Sequence, residues 1–151
     1  MKVFRLSRKK YAKSLSGKGA ALFGNRWNSK GVEMIYTADS RALAMAEVAV
    51  HISIARLPKD YMMLEIEIPK SVSICDLKKK PKKGWNENPP NSISQELGDD
   101  FIRDGICCVI KVPSAVVQGD FNYLINPYHV DIKKIKIISA TSFPFDTRMF
   151  K

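Results

Sequence analysis

Apolar positions along the chain repeat with two periods. From Tyr61 to Ile68 the alternation is strict: Leu64, Ile66 and Ile68 fall on one side, Glu65 and Glu67 on the other, as in a half-exposed strand. Lys134 to Ser139 alternates in the same way, Ile135 and Ile137 against Lys134 and Lys136. Ile106 to Val112 is apolar throughout except for Lys111 and predicts a central strand that stops at Pro113-Ser114. Val3 to Leu6 predicts a short edge strand and Met34 to Ala38 a further one, with Phe143 to Phe145 closing the sheet.

The helical period is clearest from Arg41 to about Ile54. Leu43, Glu47, Val50 and Ile54 share one stripe, Met45, Val48 and Ile52 fill another, and Ala42, Ala46 and Ala49 permit close backbone packing. Asp39 or Ser40 can cap this helix. A helix apolar nearly all round is a buried one, so Glu47 sits where a carboxylate is costly unless it is paired or hydrogen-bonded. Ser92-Ile93-Ser94-Gln95 has the capping-box pattern of a second helix reaching about Arg103, with Gly98 as a point of interruption.

Between these elements, residues 14–31 contain Gly17, Gly19, Gly24 and Gly31 and little periodicity, which predicts a long ordered loop with at most a short helix. Asn122 to Pro127 is turn-rich. Strands outnumber helices and do not alternate regularly with them. The predicted class is α+β, a mixed β-sheet core with buried helices, formed as a single domain over residues 1–151.

Composition narrows the partners. A hydrophobic share of 45% and a charged share of 26% are those of a soluble globular chain. No run approaches the roughly 20 apolar residues a membrane helix needs. The basic N-terminus has no apolar segment behind it, so no signal peptide is expected. Three cysteines without framework spacing, Cys107 and Cys108 adjacent on opposite faces of a strand, predict free thiols and a cytoplasmic location. The net charge of +10 favours an anionic partner. The run Lys78-Lys79-Lys80-Pro81-Lys82-Lys83 reads as a solvated loop, because no aromatic residues interleave with it as a single-strand platform requires.

Several chemistries are excluded. Gly17-Lys18-Gly19-Ala20 lacks the spacing of a phosphate loop or dinucleotide fingerprint. His51 and His129 are far apart, and no cysteine pair has metal-ligand spacing, so no metal site is expected. No Gly-x-Ser-x-Gly elbow is present. What remains is Arg26 in the loop, Tyr36 on the strand after it and Glu47 on the apolar helix. Each has a plainer reading when taken alone: Glu47 paired with His51 or Arg26, Tyr36 as a core aromatic, Arg26 as a surface residue, Ser114 as a turn residue and Trp27 as a packing anchor.

Taken in order, Leu15-Ser16-Gly17-Lys18-Gly19-Ala20, Gly24-Asn25-Arg26-Trp27-Asn28, Ile35-Tyr36-Thr37, Glu47-Val48, Val112-Pro113-Ser114 and Asn122-Tyr123-Leu124-Ile125-Asn126-Pro127 resemble the RES domain, a family named for its arginine, glutamate and serine. The resemblance runs from about Phe4 to Arg148. The chain departs from it at Asn25, where many relatives have Gly, and at Lys18, where they have an acidic residue. The resemblance implies an ADP-ribosyltransferase-like fold and the toxin of a bacterial toxin–antitoxin pair. It implies NAD+ as substrate rather than cofactor, and an antitoxin partner with a helix-turn-helix DNA-binding part, so that DNA is met only indirectly.

Carried over by motif, the implied site residues are Arg26, Tyr36, Glu47 and Ser114. On this reading Glu47 stabilises a ribosyl cation or holds the ribose hydroxyls, Arg26 clamps the pyrophosphate and Tyr36 stacks on nicotinamide or ribose. Ser114 orients the substrate without acting as a nucleophile, and Asn126 offers a further substrate hydrogen bond. The expected reaction is cleavage of the nicotinamide–ribose bond with water or phosphate as acceptor. The alternatives are ADP-ribosyl transfer to a protein and, in a different class, a basic nucleic-acid-binding module.

Overall fold

The computed structural model of the chain describes residues 1–77 and 79–150, and Lys78, which opens the lysine run, lies outside them. Seven strands form one sheet: β1 (Lys2–Arg8), β2 (Ile35–Ala38), β3 (Tyr61–Glu67), β4 (Ile74–Asp76), β5 (Val109–Pro113), β6 (Phe121–Ile125) and β7 (Lys136–Ser142). Their order is β4-β5-β6-β2-β1-β3-β7. Only β4 and β5 run parallel; every other neighbouring pair is antiparallel. The helices are α1 (Lys18–Phe23), α2 (Arg41–Ala49) and α3 (Ser92–Asp104).

The sheet is weakly closed at one seam. β1 pairs with β3 along its whole length, from Lys2↔Glu67 to Arg8↔Tyr61, but meets β2 at the single register pair Phe4↔Ala38. Past that pair the strands part, leaving one half-sheet of β4, β5, β6 and β2 beside another of β1, β3 and β7. Val3, Ile35, Leu64, Ile66, Cys108, Val109 and Ile125 pack on one face. The other face carries two groups: Trp27, Met34, Phe101, Ile110 and Leu124 under α3, and Leu6, Ala38, Leu43, Ala44 and Met63 under α2.

The α+β expectation holds, and the alternation of Leu64, Ile66 and Ile68 is realised, all three being fully buried. Several details differ. β1 is interior, not an edge, because both its neighbours are contributed by later segments. β6 forms where a turn was expected: Asn122 and Leu124 face one side while Tyr123 and Ile125 face the other, and pairing with both β2 and β5 outweighs the turn propensity of its asparagine. The short β4 carries too little alternation to be seen in the sequence. Phe143 and Phe145 form no strand; Phe145 meets both Phe143 and Tyr61 edge-on.

α2 is capped by Ser40, whose side chain accepts from the Leu43 amide at 3.0 Å, but it ends at Ala49 rather than near Ile54. Only Leu43 and Ala44 are buried within it, and Val50 just beyond is 59% exposed. Of the apolar stripes that predicted a buried helix, Leu43 enters the core with Met45 and Val48 packed against it, while Val50 and Ile52 border the opening at the seam. In α3 the cap is Asn91, one residue earlier than the capping box placed it, and Gly98 does not interrupt the helix. A side chain at Gly98 would put its Cβ 1.7 Å from the Trp27 carbonyl oxygen, so glycine here is what lets α3 lie against the loop. The thiol expectation is corrected as well. Cys75 and Cys107 are joined as a disulfide across β4 and the lead-in to β5, with Cα atoms 6.0 Å apart, a proximity created by parallel pairing of segments 32 residues apart. Cys108 is free and buried on the opposite face, and burial raises its thiol pKa to about 11.

Candidate active site

Two adjoining cavities of about 680 and 660 Å³ open where β1 and β2 part, and Tyr36, Glu47, His51 and Asn122 line both. That size suits a small-molecule or cofactor site. One wall is the loop before β2; the other is the outer face of α2 with the ends of β5 and β6.

The loop wall is fixed by side-chain bonds to backbone. The Tyr36 hydroxyl accepts from the Trp27 amide at 3.0 Å and donates to Asn28 Oδ1 at 2.7 Å. Asn28, fully buried, donates to the carbonyls of Ala20 and Val32 at 2.9 and 3.0 Å. Asp99 on α3 receives the Ser29 amide and hydroxyl, and Ser94 Oγ donates to the Arg26 carbonyl at 2.6 Å. Trp27 packs against Trp85 with ring centroids 5.3 Å apart. Burial pushes the Tyr36 phenol pKa upward, so it remains a neutral donor at physiological pH.

Arg26 extends this wall. Its Nη1 donates to the carbonyls of Trp85 and Glu87 at 3.1 and 2.5 Å, tethering the proline-rich loop across the cavity. Burial lowers its pKa, opposed by attraction to Glu47 and Tyr36. Arg26 therefore carries a structural load that its position in a flexible-looking loop did not suggest.

On the helix wall, Glu47 Oε1 accepts from Ser114 Oγ at 2.7 Å and from Asn122 Nδ2 at 2.6 Å. The Ser114 oxygen also accepts the amides of Val116 and Val117 at 3.1 and 2.9 Å. With both lone pairs used, its one proton points at Glu47, which makes Ser114 a positioner of the carboxylate and leaves it no activating base. Among the described residues Glu47 forms no ion pair, and its Oε2 has no hydrogen-bond partner, so the expected pairings with His51 or Arg26 are not the ones made.

Asn122 was missed by sequence reasoning. It is 93% buried (relative exposure 7%), and its Oδ1 is the buried side-chain atom without a partner among the described residues. Its signal was hidden in a segment that reads as a turn. Once β6 pairs with β2 through Ala38↔Asn122, the side chain is carried to the α2 face beside Glu47. Asn126, expected to bind substrate, lies elsewhere: it is buried, donating to the Ile102 carbonyl at 3.3 Å and accepting from the Tyr128 amide at 2.9 Å. Its amide is occupied in closing the turn after β6.

The site thus presents a carboxylate held from behind by an asparagine and a serine, with an aromatic ring and a guanidinium opposite, inside a parted α+β sheet. That arrangement belongs to an α+β domain built on one seven-stranded mixed sheet. The RES domain model matches residues 2–146, and the chain belongs to the RES domain family. It is 36% identical over 143 residues to the Prs ADP-ribosylating toxin of Sphingobium sp. (strain YBL2), covering 93% of this chain and 89% of that protein. It is 35% identical over 154 residues to Toxin Res of Photorhabdus laumondii, covering 100% and 98%. Among solved structures it superposes on a chain of the M. tuberculosis MbcT-MbcA toxin–antitoxin complex with a TM-score of 0.76 at 19% identity, over 99% of this chain and 86% of that one. At that identity the likeness is one of fold. No helix among the described residues is long and apolar enough to cross a membrane.

Proposed function

We propose that this chain is the toxin of a bacterial toxin–antitoxin pair, a single catalytic domain that acts in the cytoplasm by cleaving the nicotinamide–ribose bond of NAD+. The observation that carries the reading is Glu47: one carboxylate oxygen is held by Ser114 and Asn122 and the other is open to the cavity. Toxin names among close relatives support the biological role.

Cleavage breaks the C1′–N1 bond. The electron pair leaves with nicotinamide, whose ring nitrogen loses its positive charge, so no general acid is needed. The ribose is left as an oxocarbenium-like cation, and the oxygen of water or phosphate adds to C1′ and gives up a proton. Glu47 faces the developing charge. Two unit charges 4 Å apart interact by about 4 kcal/mol at an effective dielectric near 20, of which only the part gained beyond the ground state speeds the reaction. Bonds from Ser114 and Asn122 fix the carboxylate in advance, which lowers the reorganisation needed at the transition state. Asn122 acts through Glu47, to which its Nδ2 donates, and Tyr36 presents its ring to nicotinamide or ribose.

Purified protein incubated with NAD+, with and without inorganic phosphate, is expected to release nicotinamide; NAD+ intact in both would sink this reading. A second reading, transfer to a protein acceptor, is favoured by the ADP-ribosylating activity named for the Sphingobium relative. Labelled NAD+ in lysate separates the two by the presence or absence of a labelled protein band. Parted-sheet likeness to a chain of a toxin–antitoxin complex supports an antitoxin partner over the cleft, with DNA contacted only through the antitoxin's helix-turn-helix part.

A further inference from the structure

Cys75 and Cys107 mark off one stretch of the fold. The chain between them holds the lysine-bearing loop and α3. This stretch borders the cavity: Asn86, Asn88 and Pro90 line it, and the Trp85 and Glu87 carbonyls accept from Arg26. Cys75, Leu77 and Trp85 pack against the apolar group that contains Cys107 and Trp27. The bridge therefore belongs to the same packed group as the Trp27–Trp85 pair that seats the loop.

β4 depends on that bridge. It is an edge strand of three residues, paired to β5, with the Ser73 carbonyl and hydroxyl accepting from the Val109 and Cys108 amides. A cross-link spanning 32 residues removes much conformational freedom from the chain it encloses, and that freedom returns when it opens. The two sulfurs also differ in access. Cys107 is buried, whereas Cys75 is half-buried on the edge strand, so a thiolate from solution meets Cys75 Sγ first. Cys108 does not compete for the bond, because it is buried on the opposite face of the sheet.

We propose that Cys75 and Cys107 form a reversible switch that exchanges with a low-molecular-weight thiol and its disulfide, fastening or freeing one border of the cavity. Disulfides in a reducing compartment are characteristically transient and redox-sensing. The compartment is taken from the function proposed above; the exchange itself needs no catalytic activity. In opening, an external thiolate attacks Cys75 Sγ and forms a mixed disulfide there. The bonding electron pair leaves on Cys107 Sγ, which takes up a proton. A second external thiolate attacks the external sulfur of the mixed disulfide, and Cys75 leaves as a thiolate and is protonated. Two external thiols are thereby oxidised to one disulfide while the protein disulfide is reduced to two thiols; closure is the reverse.

The test equilibrates the native full chain in glutathione buffers from mainly reduced to mainly oxidised, then quenches with acid and alkylates under denaturing conditions. Mass spectrometry counts the alkyl groups: one, on Cys108, in the closed form and three in the open form. The count is expected to pass from one to three within the series. The open form should melt about 10 °C lower and exchange the amide hydrogens of residues 79–91 about tenfold faster or more. Cys75→Ser should match the open form and ignore glutathione, whereas Cys108→Ala should switch as wild type does. The wild-type series stands by itself where Cys75→Ser does not fold. A count fixed at one even in excess dithiothreitol, a count fixed at three throughout, a lasting glutathione adduct on Cys75, or equal exchange of residues 79–91 in both forms overturns the switch. None of these readouts involves NAD+, so failure of the proposed reaction leaves the switch standing, and failure of the switch leaves the reaction.

Discussion

On the loop wall of the cleft, Arg26, Asn28, Ser29 and Tyr36 all direct polar atoms into the protein, whereas on the helix wall Glu47 and Asn122 each keep an oxygen without a partner. Both walls carry residues that the family motifs mark. The first is a scaffold whose hydrogen bonds are largely internal; the second retains one buried unsatisfied acceptor, Asn122 Oδ1, at a cost of roughly 1–3 kcal/mol, and a Glu47 oxygen open to the cavity. The contrast shows that residues named together by a motif can divide between holding the cavity open and acting within it.

Breaking the helix wall should affect chemistry most. Glu47→Gln keeps the size of the side chain and is expected to lower NAD+ cleavage by about 10³-fold or more, measured as nicotinamide release, while circular dichroism and the unfolding midpoint stay near wild type. An active, folded Glu47→Gln variant would remove the proposed mechanism. Breaking the loop wall should affect stability instead. Gly98→Ala forces the Trp27 carbonyl and α3 apart and is expected to cost about 3 kcal/mol in urea unfolding.

Asn122→Leu sharpens the contrast, because it removes both the bond to Glu47 and the orphan acceptor. The two effects on stability oppose each other, so the unfolding free energy should change by less than about 1 kcal/mol. Activity should nonetheless fall about 10- to 100-fold. A smaller effect is expected at Tyr36→Phe, which loses two hydrogen bonds of the loop wall and should destabilise by about 1–2 kcal/mol. The phenol's pKa is raised by burial, so above pH 10 the unfolded chain ionises first and stability falls with pH. Unfolding followed from pH 9 to 11 should show a shallower decline in Tyr36→Phe than in wild type.

The residues show why some of this was readable and some was not. Glu47 stood out because a lone carboxylate on an apolar helix contradicts local expectation, and such conflicts mark sites. The strand of Leu64, Ile66 and Ile68 was legible because alternation is a local property. Asn122 was not, since its neighbours are turn formers and its meaning comes from the register Ala38↔Asn122, a pairing between distant segments. Arg5 looked like one basic residue in a basic N-terminus. Its place in the lining of the cavity exists only once β1 lies beside the parting.

The sequence by itself determined the α+β class, the strands with alternating pattern, the Ser40-capped helix and the Arg26, Tyr36 and Glu47 motif residues, because periodicity, capping and motif order are carried by neighbours along the chain. Tertiary structure alone decided that β1 is interior, that Cys75 meets Cys107, that Asn122 rather than Asn126 reaches the cavity and that Arg5 lines it. Each of those depends on which distant segments pair, and pairing is set by burial of whole faces rather than by any local run of residues.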